Sequence, residues 1–346
     1  MHDAKTPITV KSAFESLQAA GYPRAFVTKP LPEWWDNSLL KTSAGAFQFA
    51  LILKQRLGLE VNFGQDGNLA IEPRAAHANF KHLASTREEE LNVAASLGIA
   101  LARLAVFATK RPYVGLPNDP ASLYAMVRSI TGRGHVDFEG LLALCWSHGI
   151  PVLFLKEMPR NTKRMTGMAV MADGRPAILL GFNYTHYSKQ LFVLAHELAH
   201  ILCGHVQNNG ALIDEEIADV SEGLGGRAQI RRDEQEREAD IFALSLIRNG
   251  NLDVIKRMPR IAGSAAVLAA EASRLGRETG IDPGHLILSY AKDQEDWMTA
   301  NQALNFSEQA RSAIDLVRAS FMDSIDLDAI SDESAEHLLS MQGING

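Results

Sequence analysis

The chain has 346 residues, room for about two or three domains, and its 46% hydrophobic and 22% charged residues are the composition of a folded globular protein rather than a disordered one. Two cysteines, Cys145 and Cys203, with no Cys-x-x-Cys pair, exclude a disulfide framework, a thiolate zinc knuckle and an iron–sulfur cluster, and they suit a reducing compartment such as the cytoplasm. Net charge is −7, and residues 214 to 240 alone hold ten acids against four arginines, so the remainder is near neutral and carries no basic footprint for nucleic acid.

No apolar run is long enough for a membrane span, and the start MHDAKTPITVKSAFESLQAAG lacks a charged segment followed by an apolar one. Neither secretion nor membrane insertion is expected. The first hundred residues read as helical with one hairpin, VNFGQDGNLAIEP, turning at Gly-Gln-Asp-Gly. Trp34 and Trp35, in the turn LPEWWDNS, are expected to anchor packing. A long Ala/Leu-rich helix follows over residues 88 to 109.

RPYVGLPNDPAS (111 to 122), with three prolines and a glycine, reads as a linker. It divides the chain into an N-terminal helical region with a small hairpin (1–115), a central region (116–250) and a helical C-terminal region (251–346). In the central region Asp137 can cap a helix that stops at Gly149 and Pro151 before the strand PVLFL. MTGMAVM and PAILLGF then flank an Ala-Asp-Gly-Arg hairpin turn. PAILLGF could pair with a substrate backbone along an open edge.

SKQLFVLAHELAHILCGHV (188 to 206) contains His196, Glu197 and His200 in the spacing His-Glu-x-x-His. At about 3.6 residues per turn, the two histidines share a helix face and can offer one nitrogen each to a single ion, while Glu197 points about 100° away and can serve as base. Apart from these three, every residue from Leu191 to Leu202 is apolar, so the helix belongs in a core. Two imidazoles and a carboxylate buried there without partners would cost several kcal/mol, and a divalent cation with its water satisfies all three.

A catalytic zinc site needs a third protein ligand. His205 is one option, although the sequence around it misses the longer His-Glu-x-x-His-x-x-Gly-x-x-His register. The helix RRDEQEREADIFALSLIRNG (231 to 250) is the favoured option: Glu236 and Asp240 share a face, so Glu236 could ligate while Asp240 receives a ring N–H. Glu215 with Asp219 repeats the spacing in a glycine-rich context and stays open as a rival, with Glu216 beside it. Tyr184, His186, Tyr187 and His205 are candidates for steadying a developing oxyanion or binding substrate. Cys203 reads as a small buried hydrophobe whose thiol could compete for metal.

LFVLAHELAHILCGH followed by EREADIFALSLI resembles the ImmA/IrrE family of zinc metallopeptidases, and the likeness spans about residues 120 to 250. The resemblance implies an α+β, mostly helical fold with a thermolysin-like zincin core, a small sheet and flanking helical regions. It implies one Zn2+ per chain held by His196, His200 and Glu236, with Glu197 as the base. It further implies regulatory cleavage of an intracellular protein, commonly a helix-turn-helix repressor. The competing expectation is a non-catalytic interaction module with a structural metal. AAEASRLGRETGIDPGHLILSYAKD (269 to 293) reads as two helices about a Gly turn, with too few cations to bind DNA. The tail from Ser307 onward reads as one or two amphipathic helices.

Overall fold

The computed structural model describes residues 9–63, 69–73, 78–81, 91–160, 162–214, 234–261, 263–308 and 310–344. The fold is α+β and mostly helical. Its N-terminal stretch runs α1 (Val10–Ala19), α2 (Arg24–Val27), α3 (Ser43–Leu57), β1 (Leu59–Phe63), β2 (Leu69–Pro73), β3 (Ala78–Lys81) and α4 (Asn92–Ala108). β1 and β2 form the expected antiparallel pair, Leu59 opposite Pro73; the turn residues Gly64 to Gly67 lie outside the described residues. Only one of the two tryptophans is an anchor. Trp35 stacks on Phe49 of α3 at 5.3 Å between centroids, whereas Trp34 is 51% exposed. Neighbours in a turn point to different sides, and only Trp35 faces α3.

The central stretch is α5 (Pro120–Thr131), α6 (Phe138–Ser147), β4 (Val152–Phe154), β5 (Gly167–Ala172), β6 (Arg175–Leu180), α7 (Tyr187–Leu202), β7 (Ala211–Asp214) and α8 (Glu234–Ile247). Asp137 caps α6 by accepting the Gly140 N–H at 2.8 Å, and the helix ends before Gly149, at φ +73°. Asp173 and Gly174, both at positive φ, make the tight turn between β5 and β6, with Ala172 opposite Arg175. Five helices complete the described chain: α9 (Ala265–Thr279), α10 (Pro283–Gln294), α11 (Trp297–Ser307), α12 (Ala313–Ser324) and α13 (Asp332–Gln342). α9 and α10 meet at Gly280, φ +71°, as the sequence predicts.

The strands β3, β7, β5, β6 and β4 form one sheet in that order. β5 is antiparallel to both β6 and β7, while β3–β7 and β4–β6 are parallel pairs. β6 therefore lies inside the sheet, and the expectation of an open edge at PAILLGF is corrected. Its parallel partner β4 joins through a crossover, a long-range pairing that no local pattern encodes.

Consecutive residues of β5 face opposite sides of the sheet. Gly167 meets Glu197 of α7, and Met168, with Leu179 opposite on β6, meets Gly98 of α4. Thus α4 covers one face and α7 the other. The helix at the back of the sheet comes from the N-terminal stretch, and one apolar cluster extends from Ala13 to Met341. As the all-apolar pattern predicts, Leu191, Leu194, Ala195, Leu198 and Ala199 of α7 have no exposed surface. Each leucine so buried stabilises the fold by about 1.5–3 kcal/mol, which fixes the helix that carries the histidines.

Candidate metal centre

α7 and α8 lie side by side, and each contributes a pair of residues one turn apart. His196 and His200 extend from α7 with their Nε2 atoms 2.9 Å apart. Glu236 of α8 closes the third side: Oε2 is 3.4 Å from His196 Nε2 and Oε1 is 3.4 Å from His200 Nε2. One donor atom from each residue falls within 4.8 Å of the others. Both histidines are buried, and Glu236 is partly exposed.

The partners behind the rings set which nitrogens face inward. His196 Nδ1 lies 2.9 Å from Asp240 Oδ1, a carboxylate contact that favours hydrogen on Nδ1 and so leaves Nε2 bare. His200 Nδ1 is 2.9 Å from His205 Nδ1, and His205 Nε2 is 3.1 Å from Glu238 Oε2. A consistent chain of donation runs from His200 through His205 to Glu238, and it leaves His200 Nε2 bare as well. Two lone pairs and a carboxylate then converge, an arrangement that a cation neutralises and that would otherwise need a proton between the rings.

The spacing fits a small ion. Zinc bonds of about 2.0–2.1 Å in tetrahedral geometry set ligand atoms about 3.3–3.5 Å apart. Both histidine–glutamate separations match this, and the two rings would open by a few tenths of an ångström. The donor set of two imidazoles and one carboxylate suits zinc and leaves a fourth position for water.

Glu197 follows His196 in sequence and is wholly buried. Its carboxylate lies against Gly167 of β5, in space that any Cβ would fill.

Of the four residues considered for oxyanion or substrate contact, three sit elsewhere. At about 1.5 Å per residue, Tyr187 is about 13 Å along α7 from His196. The Tyr187 ring packs on Phe138 and under the Arg311 guanidinium, and the carbonyls of Tyr184 and Thr185 accept the N–H groups of Ala313 and Arg311. His186 Nδ1 is 3.4 Å from Glu308 Oε1; burial lowers its pKa, with Glu308 opposing. These residues dock the start of α7 on the C-terminal helices. His205 is at the other end, with both ring nitrogens engaged behind His200.

Two residues that the sequence did not mark are thereby prominent. Glu238 supports His205 from α8, and Gly167 makes room for Glu197. The rival ligands Glu215 and Glu216, with Asp219, lie outside the described residues. Cys203 is half-buried rather than enclosed, near His205 and Glu238.

The paired helices place two histidines and a glutamate at their junction as a candidate metal centre. Residues 145–249 match the family model of the IrrE N-terminal-like domain, Peptidase M78, which supports the likeness to the ImmA/IrrE family. The matched span contains α7, α8 and most of the sheet. No curated protein and no solved structure matches the chain. Among the described residues, no helix is long and apolar enough to cross a membrane.

Proposed function

We propose that this chain is a zinc-dependent endopeptidase, with one ion per chain held by His196, His200 and Glu236 and with Glu197 as general base. The observation that carries the reading is the convergence of three donor atoms within 4.8 Å, beside a buried glutamate on the same helix. When bound, a divalent ion supplies Lewis acidity that eases deprotonation of water and polarises a peptide carbonyl. Glu197 takes the proton of the attacking water onto a carboxylate oxygen and returns it to the nitrogen of the leaving amine. Asp240 and the His205–Glu238 pair hold the two imidazoles in the orientation and tautomer that present Nε2. Gly167 sets how far the Glu197 carboxylate can advance.

The substrate is a protein, and the family likeness makes a helix-turn-helix repressor in the same cytoplasmic compartment the leading candidate. The test is incubation of zinc-loaded protein with repressors encoded beside its gene, with new termini mapped by mass spectrometry. Cleavage by the wild type and none by Glu197→Gln, with zinc retained in the variant, supports the reading. Equal cleavage by both proteins overturns it.

A further inference from the structure

We propose that Cys203, His205 and Glu238 form a second divalent-cation site at the C-terminal end of α7, and that filling it antagonises the site formed by His196, His200 and Glu236. The thiol, the imidazole and the carboxylate each place a donor atom within 4.8 Å of the other two. Cys203 ends α7 and His205 follows after Gly204, whose φ of +75° turns the chain so that both side chains reach the same side. Glu238 comes from the next helix, 3.1 Å from His205 Nε2.

The site is open where the first is enclosed. The Glu238 side chain is 60% exposed and Cys203 is half-buried, so a cation can reach them from solvent, while His205 is buried and fixed. Thiolate with imidazole selects zinc and similar borderline ions over magnesium or calcium. Burial, and then the negative charge of Glu238, push the Cys203 thiol up to about 11. A cation that binds the thiolate displaces the thiol proton to solvent.

Antagonism follows from the 2.9 Å contact between His200 Nδ1 and His205 Nδ1. A neutral imidazole carries one N–H. When His200 gives Nε2 to the first ion, its hydrogen is on Nδ1 and is donated to His205. His205 then carries its own hydrogen on Nε2, the nitrogen that the second ion needs. A cation on His205 Nε2 moves that hydrogen to Nδ1, reverses the contact and forces His200 to carry hydrogen on Nε2. Unless the contact breaks, the two ions compete, and by linkage each weakens the other by the same factor, commonly about 5- to 150-fold.

Cobalt(II) tests this in the full chain, because thiolate coordination adds a near-ultraviolet charge-transfer band that a histidine–glutamate site lacks. Titrating metal-free wild type, the band is expected only after the first site fills, and it is expected to be absent in Cys203→Ser. His196→Ala, which disables the first site, should bring the band in at a cobalt concentration at least about fivefold lower. Absence of the band in wild type, or its persistence in Cys203→Ser, overturns the site; an unmoved midpoint in His196→Ala overturns the antagonism. A second measurement needs no variant: cobalt should protect Cys203 from alkylation, and undiminished labelling contradicts the proposal. Neither readout measures cleavage, so the site stands or falls apart from the peptidase reading.

Discussion

Gly167 and Glu197 meet across the interface between β5 and α7, and a Cβ on Gly167 would collide with Oε1 of the glutamate. Gly167→Ala is therefore expected to displace the Glu197 carboxylate while leaving His196, His200 and Glu236 in place. Peptide hydrolysis should fall by about 10²-fold or more, the scale of a misplaced general base. Metal content should stay at the wild-type value. A variant with wild-type turnover would contradict the close fit.

His205→Ala and Glu238→Gln remove the support behind His200. The expected loss of affinity at the first site is about 10- to 100-fold, larger for His205→Ala because it leaves the buried Nδ1 of His200 facing a void. Competition with a chelator of known affinity reads this directly. Unchanged affinity in both variants would show that His200 is oriented without them.

Removing the ion should destabilise the fold. A cation present at 100 to 1,000 times its dissociation constant stabilises the native state by roughly 2.7–4.1 kcal/mol. Chelation should lower the melting temperature of Cys203→Ser, in which only the first site can fill, and leave the double variant Cys203→Ser with His200→Ala unmoved. An equal shift in both would place the effect elsewhere.

Stability should also fall on mild acidification. His337 donates from Nε2 to the carbonyl of Arg56, and burial lowers its pKa to about 4; His285, buried beside the Arg248 guanidinium, is lowered well below its ordinary value. Both native-state values lie below the unfolded value of about 6.5. Above that pH neither state is protonated at these groups, and their full contribution is present. As pH drops below 6.5 the unfolded chain takes up protons that the native state refuses, and for His337 the loss levels off below about pH 4. Denaturant unfolding between pH 7 and 4 checks the slope, and His337→Gln should flatten it.

The centre was largely legible because its logic is helical. His196 with His200, and Glu236 with Asp240, are pairs one turn apart, and the structure sets them face to face. What escaped depends on contacts remote in sequence. β6 looked like an edge because its pairing with β4 has no local signature. Gly167 carries no mark in a single sequence, since its importance lies in what α7 places against it. His205 reads from the sequence as a helix-end residue, and its position in the chain does not show that it meets His200. The left-handed turn at Gly204 folds it back against His200, and a Gly-His pair just past the helix was the available signal. The cover that α4 gives the back of the sheet was equally hidden, since the apolar surface of that helix does not say what it meets.

The central claim is that His196, His200 and Glu236 jointly hold one ion. Its most direct test is metal analysis of dialysed protein beside His196→Ala, His200→Ala and Glu236→Gln, all in a Cys203→Ser background so that the second site cannot fill, and each checked for folding by circular dichroism. The account predicts one zinc per chain of the Cys203→Ser parent and less than a tenth of that in each folded variant. A parent without stoichiometric metal, or a folded variant that keeps its full complement, would contradict it.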